Sequence, residues 1–378
     1  MPESPDAGAT VTIPARMRAV RLTGHGGFDK LEYRKDVVTP RPGVGEVLIA
    51  VGACGMNNTD INTRTAWYSK SVARGTDAGG SAGFGEAKTD DSTWGGAGIA
   101  FPRIQGADVA GTIVAVGAQV PASRVGERVL VDSWMRDARD PDNRALAGYL
   151  GSERDGGFAE FTAVPSVNAF AIQSRHSDAE LATFPCSYST GEYMLTRAQL
   201  SAGETALITG ASGGVGSGLV QLAKRRGARV IAVAGRSKME AVAALGADRV
   251  IARDDANFES AVRAAAPDGQ VQVVADVVGG AGFASLVNLL ARGGRYVTSG
   301  AIAGPMVELD LRSLYLKDLT LLGATVMPVG IFESLVGYIE REEIRPLLAK
   351  TFSLDRIADA QDEFLGKQHV GNIVITLR

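Results

Sequence analysis

Only two cysteines, Cys54 and Cys186, and three histidines, His25, His176 and His369, occur in the 378 residues. Two thiols are too few for a disulfide framework or a four-thiolate zinc site. None of the histidines lies in a metal-ligand spacing, so each reads as a surface or core residue. An excess of positive charge is absent as well. Lys and Arg number 39 against 42 Asp and Glu, a formal net charge of −3 with no basic run, so nothing attracts a polyanion and nucleic acid is excluded as a partner. No apolar stretch approaches the roughly 20 residues that cross a bilayer, and residues 1–16 lack the apolar centre of a secretory signal. These absences predict a cytoplasmic protein without a membrane partner, preceded by a loose N-terminal extension over residues 1–16.

Hydrophobic residues make up 45% and charged residues 21%, the balance of an ordinary globular chain. The length exceeds the roughly 100 to 200 residues of one domain, so two domains are expected. Residues 17–175 read as short strands broken by Gly and Pro, such as "GEVLIAVGACG" and "GTIVAVG", which suggests a twisted, partly barrel-like β domain. Residues 176–326 alternate apolar strands with amphipathic helices, the pattern of a doubly wound parallel sheet. In the first of those helices Val215, Leu219 and Leu222 form one apolar stripe. Residues 327–378 return to strand-like alternation and are expected to rejoin the first domain. Residues 69–101 are rich in Gly, Ala and Ser, carry Trp94 and show no period; a long irregular segment of this kind is a passive or disordered loop, or a lid.

The segment "TGASGGVGSG", residues 209–218, follows the strand "TALIT" and opens the amphipathic helix. A pyrophosphate approaches a backbone only where side chains are absent, and the helix N-terminus then offers free N–H groups and partial positive charge. Gly213 and Gly216 occupy two of the three fingerprint positions and Ala211 the first, with Ser212, Gly214 and Val215 between them. The strand before and the helix after raise this above a simple glycine turn. About 20 residues on, an acidic residue would accept the 2′-hydroxyl of NAD. Here Ala234 and Gly235 stand instead, followed by Arg236, Ser237 and Lys238. Two cations and a hydroxyl suit a 2′-phosphate, hence NADPH; the alternative is a solvated loop with incidental charge.

The ordered set "GEVLIAVGACGMNNTD", "GADVAGTIVAVG", "VGERVL", "DGGFAEF", "CSYSTGEY", "TGASGGVGSG" and "HVGNIVITL" resembles the medium-chain dehydrogenases/reductases from Met17 to Arg378. Through "GRYVTSGAIAGP" and "DLRSLYLKDLTLLGAT" it looks closest to their zinc-independent quinone oxidoreductase branch. The resemblance implies an α/β protein: a GroES-like β-rich catalytic domain over 17–175 and 327–378, and a Rossmann doubly wound parallel-sheet cofactor domain over 176–326. It also implies Thr190 and Gly300 as cofactor contacts, and a homodimer paired edge to edge near "LTLLGATVMP".

Relatives that oxidise alcohols hold a catalytic zinc with Cys, His and Cys. In this sequence those positions fall on Asn57, Ala107 and Cys186, and the region 133–155, where such relatives carry four cysteines, has none. No metal site is therefore expected, and Cys186 reads as a small buried hydrophobe. The quinone oxidoreductase branch carries the pattern Asn-x-x-Asp-x-x-x-Arg-x-Gly-x-Tyr, and Asn57, Asp60, Arg64 and Tyr68 fall on its spacing, with Ala66 at the Gly position. Tyr68 is a candidate proton or hydrogen-bond donor, or a packing residue. Asn57 is a candidate contact to a substrate carbonyl, or fills the vacated metal position by hydrogen bonding. Asp60 and Arg64, four apart, are expected to form a helical salt bridge. The function that follows is NADPH-dependent hydride transfer to a small quinone or α,β-unsaturated carbonyl. The alternatives are a cofactor-binding structural or sensing protein with little turnover, and an alcohol or aldehyde oxidoreductase.

Overall fold

The computed structural model describes residues 12–95, 98–137, 140, 143 and 147–377. Residues 1–11 of the expected extension lie outside the described residues, and Arg16 already opens the first strand, Arg16–Leu22. The strand Glu46–Gly55 is buried along nearly its whole length, because "VLIAV" is a continuous apolar run and both faces are covered. It lies inside a seven-stranded sheet, antiparallel to Asp108–Val116, to Phe161–Pro165 and to the last strand, Asn372–Thr376. The register sets Cys54 opposite Val109 and Gly55 opposite Asp108. The chain end thus returns to the sheet built by the first part of the chain.

A second sheet has six strands, Thr205–Ile208, Arg229–Ala234, Arg249–Ala252, Val271–Asp276, Leu290–Thr298 and Thr320–Gly323. All are parallel, and in space they run third, second, first, fourth, fifth, sixth, the doubly wound order whose reversal point lies beside the first strand. Period-2 alternation divides the side chains between two cores. Ala206 and Ile208 face Leu219 and Leu222 of the helix Gly214–Arg225, while Leu207 faces Phe283 and Leu286 on the other side. Leu219 and Leu222 are fully buried, each stabilising by about 1.5 to 3 kcal/mol. Among the described residues no helix is long and apolar enough to cross a membrane.

The short helix Asn58–Thr65 corrects one expectation. Asp60 and Arg64 do not pair. Asp60 sits at the third helical position and accepts the backbone N–H of Asn57 at 2.8 Å and of Gly106 at 3.2 Å. Arg64, at the far end of the helix and fully buried, donates to Gly26 O and to Gln361 Oε1, both at 2.7 Å, and to Gly80 O, with its guanidinium over the Phe28 ring. The capping demand at one end and three unpaired acceptors at the other outweigh an i,i+4 ion pair worth a few tenths of a kcal/mol. The turn after this helix forms with Ala66 in the left-handed region, φ 61°, its N–H bonded to Asn62 O and Thr63 O.

Residues 69–101 are packed rather than loose over their described part. Val72, Thr76, Phe84, Ser92 and Thr93 are buried. Thr76 N donates to Ile302 O at 3.0 Å and Trp94 Nε1 to Thr325 Oγ1 at 3.0 Å. The segment therefore runs from the β-rich body to the loops that follow the fifth and sixth parallel strands.

Candidate functional site

Where the two bodies meet, the strand register brings Asp108 beside the start of the Asn58–Thr65 helix. The helix Pro185–Arg197 adds Cys186 and Ser187 from the opposite side. Asp108 accepts from Cys186 N at 2.7 Å and from Asn57 Nδ2 at 2.9 Å. Ser187 Oγ donates to Asn57 Oδ1 at 3.4 Å and accepts from Asn372 Nδ2 at 2.9 Å. Tyr149 donates its hydroxyl to Cys186 Sγ at 3.1 Å, and Thr190 stands one turn along the helix. Burial pushes the Asp108 carboxyl up to about 8 and the Asp60 carboxyl up to about 7. The Cys186 thiol is pushed up by burial and by Asp108 beside it, so it stays protonated and weakly nucleophilic.

Asn57 is thus a network residue, its amide committed on both sides. Ala107 is buried and offers no donor atom. Among the described residues no group of three His, Cys, Asp or Glu side chains converges in a way that could hold a metal ion. Tyr68 is half-buried. Burial raises its pKa above the ordinary value, with the neighbouring Thr59 and Asn62 side chains opposing, so it remains a proton-bearing phenol.

The glycine segment lies next to Ser187 and to Gly371. Gly213 caps the helix Gly214–Arg225 in extended conformation without a side-chain cap. A Cβ on Gly216 would sit 2.1 Å from Gly210 O, and one on Gly214 2.4 Å from Ser187 Oγ, whereas on Gly213 the nearest atom would be 3.5 Å away. Two glycines serve close packing, and the third leaves backbone approachable by a phosphate. Val215 is half-buried against the core under this turn. Ala211 N bonds Val233 O at 3.1 Å, and Ser212 O accepts Gly371 N at 2.9 Å. Gly300 follows the fifth parallel strand, its carbonyl held by Thr298 Oγ1 at 3.0 Å. Ser187, against which a Cβ on Gly214 would press, joins this segment to the Asn57–Asp108–Cys186 network, and Thr190 lies one turn beyond Cys186 on the same helix.

The cations expected beside a 2′-phosphate are placed differently from one another. Arg236 and Ser237 are exposed, and Arg236 Nε pairs with Asp254 at 3.2 Å, a surface pair that solvent makes weak. Lys238 turns inward and donates to Lys367 O. Around it the structure assembles Lys367 and His369 from the end of the chain, with Arg253 from the turn after the third parallel strand close enough to repel Lys238. Lys367 is lowered to about 7 by burial, then by Lys238, with Asp77 opposing; His369 is lowered to about 4 by burial, then by Lys367 and Lys238, with Glu363 opposing. Lys367 Nζ donates to Asn58 Oδ1 at 3.0 Å.

Sequence reading missed Asp108, Ser187, Tyr149, Lys367 and His369. Asp108 is one residue past the ligand position that falls on Ala107. Lys367 and His369 lie in and beside the closing motif, where only their long-range contact with Lys238 gives them meaning.

Comparison with known proteins adds to this geometry. Residues 43–174 match the model of the alcohol dehydrogenase GroES-like domain, and residues 214–341 that of the zinc-binding dehydrogenase family. The chain is 26% identical to a quinone oxidoreductase of Rattus norvegicus, with 96% of this chain and 98% of the relative covered. It is 28% identical to an acryloyl-coenzyme A reductase of Metallosphaera sedula, with 95% and 100% covered. Among solved structures, a putative alcohol dehydrogenase from Sinorhizobium meliloti 1021 is 47% identical with a TM-score of 0.86, covering 96% of this chain and 97% of its own.

Proposed function

This chain belongs to the medium-chain dehydrogenase/reductase superfamily, and on that premise we propose that it transfers hydride from NADPH to a quinone or an α,β-unsaturated carbonyl without zinc. The observation that carries the reading is the network Asn57–Asp108–Cys186. It occupies the place of a metal's donors and runs through Ser187 and Asn372 to the glycine segment. Zinc needs three protein donors and an open position. An alanine, an amide bonded on both sides and a single thiol do not supply three donors. Without a Lewis acid an alcohol is hard to oxidise, whereas an electron-poor conjugated carbon needs only stabilisation of the charge that develops on its carbonyl oxygen.

NADPH, when bound, supplies the hydride and its electron pair. The helix N-terminus at Gly213 is suited to the pyrophosphate, and Lys238, Arg253, Lys367 and His369 to the 2′-phosphate. Tyr68, whose pKa burial raises so that it keeps its proton, donates a hydrogen bond or proton as the carbonyl oxygen becomes negative. Asn57 and Asp108 keep the floor of the site fixed. In domain terms, 17–175 with 327–378 would supply the reactive side and 176–326 the cofactor side.

The test is NADPH oxidation in chelator against quinones, enals, enones and enoyl-coenzyme A esters, with zinc measured in the same preparation. We expect turnover of conjugated acceptors by protein holding far less than one zinc per chain. One tightly held zinc, with activity lost on its removal, would overturn the zinc-free reading; NADPH binding without turnover of any acceptor would favour a sensing or structural role.

The parallel sheet ends in an exposed edge strand, Thr320–Gly323, beside exposed Met306, Leu311, Tyr315, Leu316 and Leu321. An apolar edge of this kind invites a partner strand, and we propose that a second copy covers it. Light scattering should return the mass of two chains, and Leu321→Lys should shift it toward one; a monomeric wild type contradicts the proposal.

A further inference from the structure

Trp94 belongs to the Gly-rich segment whose role the sequence left open, and it ends a row of aromatic rings. Its ring centroid is 4.3 Å from that of Trp134, which is 4.7 Å from that of Tyr149. Tyr149 in turn touches Cys186, and Cys186 N touches Asp108. On its other side Trp94 Nε1 donates to Thr325 Oγ1. Thr325 follows Ala324, whose N–H bonds Thr298 O at 2.8 Å, two residues before Gly300. An aromatic row therefore spans from the Asn57–Asp108–Cys186 network to the carboxyl ends of the parallel strands, where sheets of this order bind their ligands. Trp94 is only partly buried, so part of its ring stays available to a ligand. Tilted rings in a row offer faces and edges to a flat ring rather than to a flexible chain.

We propose that Trp94 is a specificity-determining residue that stacks on planar, ring-bearing acceptors and favours them over aliphatic enals and acyl thioesters. The inference rests on the proposed function, with the acceptor seated beside this row. Trp94→Ala should lower kcat/KM for 1,4-naphthoquinone and phenyl vinyl ketone about tenfold, chiefly through KM, and leave acrolein within about threefold. Trp94→Phe, which keeps a ring but not the N–H, should retain naphthoquinone turnover within about threefold of wild type, separating stacking from the bond to Thr325. A second readout needs no turnover. In a Trp67→Phe/Trp134→Phe background, where Trp94 is the one tryptophan left, naphthoquinone should quench tryptophan emission saturably with NADP+ present, while acrolein at the same concentration should not. An equal loss of turnover for all acceptors in Trp94→Ala, or no saturable quenching of Trp94 by naphthoquinone, overturns the proposal. If wild-type protein reduces no acceptor, the proposed function fails, and the quenching titration still decides whether Trp94 meets a flat ligand.

Discussion

Lys367→Ala is expected to weaken NADPH binding about 10- to 100-fold, because one charge-assisted contact to phosphate contributes about 1.5 to 3 kcal/mol. NADH binding should stay within about threefold, since NADH has no 2′-phosphate to lose a contact with. Lys238→Ala should act in the same direction. Arg236→Ala should do less, because Arg236 is exposed and paired with Asp254. Acidity provides an independent check. Burial and Lys238 lower the Lys367 ammonium to about 7 in the free protein, while a bound phosphate favours the charged form and raises it again. NADPH affinity should therefore fall as pH rises from about 7 to 9, whereas below about 6 the phosphate itself loses charge. His369, lowered to about 4, is neutral across that range and contributes no slope. Titration of both cofactors at several pH values checks this. A slope shared by NADPH and NADH, or one unchanged in Lys367→Ala, would remove Lys367 from phosphate binding.

Tyr68→Phe is expected to lower kcat and kcat/KM together by about 100-fold, the lower end of what losing a positioned proton donor costs, because water can replace it. Burial raises the phenol's pKa, so it keeps its proton through neutral pH and the wild-type rate should show no loss attributable to Tyr68 below about pH 9. A contact made equally to bound substrate and transition state would raise KM alone. An unaltered rate with a good enone or quinone would leave Tyr68 as packing against Trp67, whose ring centroid lies 5.8 Å away.

What the sequence revealed was local. The turn at Gly213 to Gly216 is flanked by its strand and helix within a few residues, so its physics can be read directly. The apolar stripe of Leu219 and Leu222 is legible for the same reason. Asp60 and Arg64 misled because spacing four suggests an ion pair, while the helix N-terminus and three distant carbonyl or amide oxygens competed for the same groups. The gathering of Lys238 with Lys367 and His369, and of Trp94 with Trp134 and Thr325, depends on contacts across more than a hundred residues or across a period-free segment. No window of sequence contains them. Ala66 departs from the glycine expected there, yet the turn still forms, since a single left-handed non-glycine residue costs only about 1 to 2 kcal/mol.

Isotope tracing distinguishes direct, metal-free hydride transfer from NADPH to a conjugated carbonyl from every other route. Wild-type protein, chelator, an enone and NADPH carrying deuterium on one face of C4 are incubated, then repeated with the other face labelled. Direct transfer yields NADP+ and the saturated ketone in equal amounts, one deuterium at the β-carbon from one labelled face only, and the α-hydrogen from solvent. Deuterium absent from the product with both labels, or product formed only when zinc is supplied, would contradict it.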